Sequence, residues 1–117
     1  MATRVFIVDD HQPFRAVARR ALEQAGFDVV GKAADGHLAL AGIVRIRPEL
    51  VSLDVNLPDL DGFDVAGRLA EIDCLPVIVF ISVSDDPAQR RRVAASPALG
   101  FLPKSEFSAA ALTELLR

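Results

Sequence analysis

Short apolar runs rich in β-branched residues alternate, along all 117 residues, with longer segments in which apolar residues recur at helical spacing. This alternation is typical of a parallel sheet that carries helices on both faces. The sequence therefore predicts an α/β fold, a doubly wound five-stranded parallel sheet with five helices, in a single domain over residues 1–117. The length excludes barrels of roughly 250 residues.

The predicted elements follow one another with short connections. Strands are expected at residues 4–8, 27–30, 50–53, 76–81 and 99–102. Helices are expected at residues 14–25, 36–47, 62–72 and 85–95, and from Glu106 onward with Ser105 as the N-cap. The fourth strand is the most apolar of the five, and we expect it to be a central strand of the sheet.

Charge and cysteine content narrow the range of partners. Sixteen acidic and thirteen basic residues give a net charge of −3, the wrong sign for nonspecific attraction to nucleic acid phosphates or anionic lipid. No apolar run approaches the roughly 18 residues of a membrane span. Cys74 is the single cysteine, so an intrachain disulfide is excluded. We expect a soluble, cytoplasmic protein in which Cys74 is a packing residue rather than a nucleophile.

Polar side chains stand at the carboxyl ends of four predicted strands. Asp9 and Asp10 follow the first strand, Asp54 the third, Ser82 the fourth and Lys104 the fifth. Ligands of open parallel sheets bind outside these strand ends, near the point where the strand order reverses. We therefore expect these five side chains to converge at one edge of the sheet.

Three carboxylates at one edge require a cation, because a pair 4 Å apart repels by about 4 kcal/mol at an effective dielectric constant near 20. Carboxylate oxygens suit Mg²⁺, or Mn²⁺ in its place, better than zinc, which prefers His or Cys ligands. With Lys104 as a second cation and Ser82 as a hydrogen-bond donor, the cluster has the parts of a phosphoryl-transfer site in which Asp54 is the acceptor.

Four segments at matching separations resemble the receiver domain of two-component response regulators, and the resemblance covers essentially the whole chain. They are Ile-Val-Asp-Asp-His at residues 7–11, Leu-Asp-Val-Asn-Leu-Pro-Asp-Leu-Asp-Gly at residues 53–62, Ser82, and Gly-Phe-Leu-Pro-Lys at residues 100–104. The resemblance implies the flavodoxin-like receiver fold, with the strand order 2-1-3-4-5.

The resemblance also implies a role for each residue of the site. Asp54 would be the phosphoacceptor. Mg²⁺ would be held by Asp9, Asp10, Asp54 and the backbone carbonyl of Asn56. Lys104 would contact the phosphoryl group, Ser82 and Phe101 would form the switch pair, and access to Asp54 would be modulated by Val83 and Ser84.

The partners implied by the resemblance are those of a signalling domain rather than an enzyme with a turnover substrate. The phosphoryl donor would be a sensor histidine kinase or a phosphotransfer protein. Phosphorylation would switch partner binding, or homodimerisation through helix 4, strand 5 and helix 5, to regulate an output such as transcription. The motifs are most similar to those of regulators with a C-terminal helix-turn-helix domain, so DNA would be bound only by a domain outside this sequence. No membrane partner is implied.

Two departures from the receiver pattern keep an alternative open. Val83 follows Ser82 where a small residue is common, and Pro97 stands where a glycine usually ends helix 4. The alternative is an interaction module that binds partners without phosphorylation. A third possibility, an aspartyl phosphatase, would need a second carboxylate two residues after Asp54, where this chain has Asn56.

Three further features are assigned structural roles. His11 and His37 are expected on the surface, although His11 adjoins the acidic pair. Residues 26–32 match the first seven positions of a P-loop, but a helix precedes them, their interior is predicted to be a strand, and Ala33 replaces the Ser or Thr that binds Mg²⁺. ATP binding is therefore not expected.

Overall fold

A computed structural model describes residues 2–73 and 75–117. The strands among them form one five-stranded parallel sheet. The strands are β1 (Arg4–Val8), β2 (Asp28–Ala33), β3 (Leu50–Asp54), β4 (Val77–Ser82) and β5 (Gly100–Pro103). They lie in the order β2-β1-β3-β4-β5, and every neighbouring pair is parallel. The predicted α/β fold and strand order are thus confirmed, whereas Cys74 lies outside the described residues.

Helices cover both faces of the sheet. They are α1 (Gln12–Gln24), α2 (Gly36–Ile46), α3 (Gly62–Glu71), α4 (Pro87–Ala94) and α5 (Ala109–Leu115). One buried cluster includes residues of α2, α3 and α4, and the other includes residues of α1 and α5. None of the helices in the described part of the chain has the length and apolar character that crossing a bilayer requires.

The prediction that the fourth strand is central, and not at an edge, is confirmed, because β4 is hydrogen-bonded to a neighbouring strand on each side. β3 occupies the middle of the sheet, and β4 lies between β3 and β5. Both β3 and β4 are hydrogen-bonded on each side, and all five residues of β3 are buried, including Ser52 and Asp54. A continuous run of apolar residues therefore indicates a strand that is buried on both faces of the sheet.

The start of the last helix is corrected. Residues Lys104–Glu106 form a 3-10 turn, and α5 begins at Ala109, with the Ser108 side chain accepting a hydrogen bond from Ala111 N. Between them, Phe107 is extended and packs edge-on against Phe14 of α1, with ring centroids 5.3 Å apart. Because this aromatic contact draws the chain inward, the helix starts three residues later than a cap at Ser105 would place it.

The end of α4 follows from Pro97, which cannot adopt a positive φ. The C-cap residue, Ala95, is right-handed with φ −86°. Ser96 stabilises the turn that follows the helix, since its hydroxyl donates to Val93 O at 2.6 Å and accepts from Ala98 N at 3.2 Å. A serine side chain therefore provides hydrogen bonds where a glycine-capped helix would use its own backbone.

Candidate functional site

Three carboxylates meet at the carboxyl edge of the sheet. β1 and β3 are neighbours, and Val8 is paired with Leu53, so the residues that follow them lie side by side. Oxygen atoms of Asp9, Asp10 and Asp54 all lie within 4.8 Å of one another. Asp9 is 1% exposed and Asp54 is 4% exposed, whereas Asp10 faces solvent. The sheet order thus brings together acidic residues that are more than 40 positions apart in sequence.

Lys104 reaches this cluster from the end of β5. Its ammonium nitrogen lies 2.8 Å from Asp9 Oδ2 and 3.5 Å from Asp54 Oδ2, and 4.8 Å from the centre of the Phe14 ring. Burial opposes the charged ammonium, but the carboxylates of Asp9 and Asp54 outweigh it and raise the pKa of Lys104 above its ordinary value. Lys104 therefore remains charged beside the two buried acids.

Backbone amides hold the other oxygen of each buried carboxylate. His11 N donates to Asp9 Oδ1 at 2.8 Å, and Asn56 N donates to Asp54 Oδ1 at 3.0 Å. These local bonds leave the Oδ2 atoms of Asp9 and Asp54 facing Lys104. Each carboxylate is therefore oriented by the loop that follows its own strand.

Burial raises the pKa of Asp54 to about 6. The Asn56 amide and Lys104 lower it, while the negative charges of Asp9 and Asp10 add to the increase. Asp54 is therefore a carboxylate at neutral pH whose charge is incompletely offset by the surrounding protein.

The donor set fits a hard divalent cation. Apart from its ion pair with Lys104, Asp9 Oδ2 has no hydrogen-bond partner among the described residues. The cluster offers carboxylate oxygens from Asp9, Asp10 and Asp54, and oxygen donors in a partly open site are what Mg²⁺ prefers. A cation here would complete the neutralisation that a single lysine provides only in part.

Ser82 ends β4 and is fully buried. Its hydroxyl oxygen accepts a hydrogen bond from Ser84 N at 3.1 Å and lies 3.4 Å from Gln89 Oε1, to which it donates. Gln89 Nε2 in turn donates to Ser84 O at 2.9 Å. Gln89 is not among the predicted site residues, although its position three residues after the N-cap Asp86 is a helix-start signal in the sequence.

The other predicted switch and access residues surround this loop. Phe101 of β5 is partly buried, and the guanidinium carbon of Arg90 lies 5.2 Å from the centre of its ring. Val83 is 78% exposed and lines an open cavity together with Asp10 and Lys104. The Ser84 hydroxyl donates to Asp86 Oδ2 at 3.2 Å. Phe101 is therefore covered by α4, and Val83 stands at the entrance to the acidic cluster.

Residues outside the predicted site also support it. The Arg15 guanidinium donates to the backbone carbonyl of Asp9, and the carboxylate of Asp59 contacts the start of α2. His37 is exposed and pairs with Asp59 through Nδ1, while His11 is exposed beside the cluster. No local pattern marks Arg15 or Asp59, because their partners come from other elements of the fold.

The segment that resembles a P-loop has a different structure. Residues 28–32 belong to the edge strand β2, and α1 precedes the segment. A P-loop needs the reverse order, a strand followed by a loop that opens a helix. The segment therefore lacks the backbone arrangement that surrounds a nucleotide phosphate.

Comparison with known sequences agrees with the geometry. A family model described as the response regulator receiver domain matches residues 5–117. A protein of Pseudomonas aeruginosa described as a transcriptional regulator is 36% identical over 105 residues, which are 89% of this chain and 50% of that protein. The Bordetella pertussis protein BvgA, described as a positive transcription regulator of virulence factors, is 36% identical over 107 residues, or 91% of this chain and 51% of BvgA. The chain thus spans about half the length of these relatives.

Solved structures give the same result. The receiver domain of the response regulator NarL from Mycobacterium tuberculosis superposes with a TM-score of 0.90 at 32% identity, covering 97% of this chain and 94% of that one. A LuxR-family response regulator from Aurantimonas gives a TM-score of 0.88 at 26% identity, covering 97% and 81%. The resemblance inferred from the four motifs is confirmed, and the chain belongs to the family of response regulator receiver domains.

Proposed function

We propose that Asp54 accepts a phosphoryl group from the phosphohistidine of a histidine kinase or a phosphotransfer protein, in the cytoplasm. The proposal rests on the geometry of the acidic cluster. Carboxylate oxygens of Asp9, Asp10 and Asp54 lie within 4.8 Å of one another, and Lys104 contacts Asp9 and Asp54. We assign Mg²⁺, or Mn²⁺ in its place, to Asp9, Asp10, Asp54 and the backbone carbonyl of Asn56. When bound, the metal supplies positive charge next to the phosphoryl oxygens.

The protein residues have distinct tasks in this transfer. An oxygen of Asp54 forms a bond to phosphorus while the bond from phosphorus to the donor imidazole breaks, and the imidazole nitrogen keeps the electron pair. Lys104 offsets the charge of the phosphoryl oxygens from the β5 side. The buried position of Asp54 limits access of water to the reacting carboxylate.

The output of phosphorylation is proposed to pass through Ser82 and Phe101. A phosphoryl group adds strong acceptor oxygens, so the Ser82 hydroxyl gains a partner on the Asp54 side. Movement of its loop would free space for Phe101 and change the surface formed by α4, β5 and α5. We propose that this surface then alters partner binding or homodimerisation, and that transcription is regulated through a part of the protein outside this sequence.

Mass spectrometry with a small phosphodonor tests this proposal. Acetyl phosphate with Mg²⁺ should add the mass of one phosphoryl group to the wild-type protein, and chelation of Mg²⁺ should prevent the addition. Asp54→Asn should remain unlabelled, whereas Asp64→Asn, a control on α3, should be labelled like wild type. Equal labelling of Asp54→Asn would refute the assignment.

A phosphorylation-independent interaction module remains the second candidate, because the exposed Val83 lines the same open cavity as Asp10 and Lys104. Under this alternative, full labelling would leave self-association and partner binding unchanged. Sedimentation of labelled and unlabelled protein separates the two functions. Sustained hydrolysis of a phosphate ester would instead indicate a phosphatase, for which Asn56 is unsuited.

A further inference from the structure

Asp59 makes an unusual set of contacts outside the acidic cluster. It lies in the loop between β3 and α3, and its carboxylate faces the first turn of α2. Oδ1 accepts hydrogen bonds from Gly36 N at 2.7 Å and Leu60 N at 2.8 Å, and Oδ2 accepts one from His37 N at 3.0 Å. The His37 ring nitrogen Nδ1 also contacts Oδ2. One side chain thus joins the β3–α3 loop to residues of α2 that lie 22 and 23 positions earlier in the chain.

The first amides of a helix have no partners within the helix and attract negative charge. The N-cap residue of α2, Asp35, accepts a hydrogen bond from Leu38 N at 2.8 Å. The Asp59 carboxylate accepts hydrogen bonds from the two backbone amides that precede Leu38, those of Gly36 and His37. The start of α2 is therefore capped by two carboxylates, one local and one from the β3–α3 loop.

The loop approaches α2 closely because residue 36 is glycine. A Cβ atom at Gly36 would lie 2.8 Å from Leu60 Cβ and 3.2 Å from Asp59 Oδ1. The first distance is too short for a Cβ atom to fit unless the loop moves, and the second is tight. The absence of a Cβ atom therefore permits the hydrogen bonds between Asp59 and the helix.

The same loop carries Asn56, which follows Asp54 by two residues. The two ends of the β3–α3 loop are fixed by backbone hydrogen bonds, from Val55 N to Ile81 O at 3.1 Å and from Gly62 N to Val55 O at 2.7 Å. Asp59 attaches the intervening stretch to α2. Movement of this attachment would be transmitted over three residues to the Asn56 carbonyl.

We propose that Asp59 is a positioning residue, which anchors the β3–α3 loop to the start of α2 and so sets the affinity of the acidic cluster for Mg²⁺. The inference rests on the proposed function, because it concerns the metal assigned there. It differs from that function in predicting a specific loss of metal affinity from a residue that is not among the assigned ligands.

Calorimetric titration with Mg²⁺ tests the inference, with Asp35→Ala as the matched control. Both Asp59→Ala and Asp35→Ala remove a carboxylate cap from α2, so both should lower the melting temperature by about 4 °C. Asp59→Ala alone should weaken Mg²⁺ binding by about tenfold, the scale seen when a residue that orients a metal ligand is removed. Asp35→Ala should bind Mg²⁺ within twofold of wild type.

Two further variants keep the test decisive if Asp59→Ala does not fold. Asp59→Asn retains one acceptor oxygen and should show an intermediate Mg²⁺ affinity. His37→Ala leaves both backbone donors in place and should bind Mg²⁺ like wild type. At saturating Mg²⁺, the labelling rate of Asp59→Asn with acetyl phosphate should approach the wild-type rate, since the acceptor Asp54 is intact.

The outcomes separate this inference from the proposed function. Mg²⁺ affinities that are equal in wild type, Asp59→Ala and Asp59→Asn would overturn the positioning role while leaving the phosphoacceptor site in place. An equal loss of affinity in Asp35→Ala would also overturn it, because the effect would then belong to α2 in general. A wild-type protein that neither binds Mg²⁺ nor takes up a phosphoryl group would overturn both.

Discussion

Asp54 is buried, yet its proposed role as phosphoacceptor requires it to carry a negative charge. The sheet places it between Asp9 and Lys104, and its own loop donates one amide hydrogen bond to it. These contacts do not fully compensate the loss of water, so the pKa of Asp54 rises to about 6. The negative charge of Asp54 therefore lowers the stability of the folded chain at neutral pH. A bound cation would offset this charge and restore stability.

This cost predicts a pH-dependent gain in stability for Asp54→Asn. Because the pKa of Asp54 in the folded state lies above the ordinary value of an aspartate, about 3.9, the stabilising contribution of Asp54 is complete below about pH 4 and is lost as the pH rises through about 6. Without Mg²⁺, the unfolding free energy of Asp54→Asn minus that of wild type should increase by on the order of 1 kcal/mol between pH 5 and pH 7.5. Urea unfolding at both pH values measures it, and a constant or decreasing difference would contradict the burial argument.

Lys104 should contribute to stability as well as to chemistry, because it is the cation that contacts Asp9 and Asp54. In Mg²⁺-free buffer at neutral pH, Lys104→Met should lower the unfolding free energy by about 2 kcal/mol, since two buried carboxylates lose their partner. The other lysine, Lys32, is exposed on β2, and Lys32→Met should change it by less than about 0.5 kcal/mol. Equal effects in the two variants would show that the ion pairs contribute nothing specific.

The Ser82 hydroxyl donates its single hydrogen to Gln89, so under the proposed function Gln89 would compete with the phosphoryl group for that hydrogen. Gln89→Met removes this acceptor at nearly constant volume. It should strengthen binding of beryllofluoride, an imitation of the phosphoryl group, by about fivefold, which corresponds to one hydrogen bond of about 1 kcal/mol. Gln89→Glu retains an acceptor and should not bind more tightly than wild type. Unchanged or weaker binding by Gln89→Met would rule out the competition.

At the scale of elements, the start of α5 depends on a contact that the local sequence does not display. Ser105 and Ser108 are both acceptable N-caps by residue type. Packing of Phe107 against Phe14 of α1 selects Ser108. The choice was unpredictable from helical periodicity alone, because the deciding partner lies more than 90 residues away in the sequence.

A pair of alanine substitutions tests this choice of N-cap. Ser108→Ala removes the hydrogen bond to Ala111 N and should lower the unfolding free energy by about 1 kcal/mol. Ser105→Ala lies in the 3-10 turn and should change it by less than about 0.5 kcal/mol. Chemical unfolding of both variants provides the comparison. A larger loss for Ser105→Ala would place the helix start where the sequence pattern first suggested.

The same reasoning explains which parts of the site were predictable. Asp9 and Lys104 follow directly after strands and Asp54 is the last residue of one, so strand periodicity and the rule for strand ends located them. Asp59, Arg15 and Gln89 act on partners in other elements. Their roles depend on how helices and loops pack, which residue spacing along one segment does not encode.

At the scale of the whole molecule, a site assembled from three strands should couple metal binding to global stability. A ligand present at ten times its dissociation constant for the folded chain stabilises that chain by about 1.4 kcal/mol, so Mg²⁺ at that concentration should raise the melting temperature by about 6 °C. Asp10→Asn, which removes the exposed carboxylate of the cluster, should abolish most of this increase. Thermal melts with Mg²⁺ and with chelator provide the measurement, and an equal increase in Asp10→Asn would place the metal elsewhere.

The most direct test of the phosphoacceptor assignment is to locate the phosphoryl group on the chain. Wild-type protein labelled by acetyl phosphate with Mg²⁺ can be cleaved under conditions that preserve or chemically trap the acyl phosphate, and its peptides sequenced by mass spectrometry. We expect modification at Asp54 and none at Asp9 or Asp10, because Asp54 alone is assigned as the nucleophile. Modification at another residue with Asp54 unmodified, or no modification at all, would contradict it.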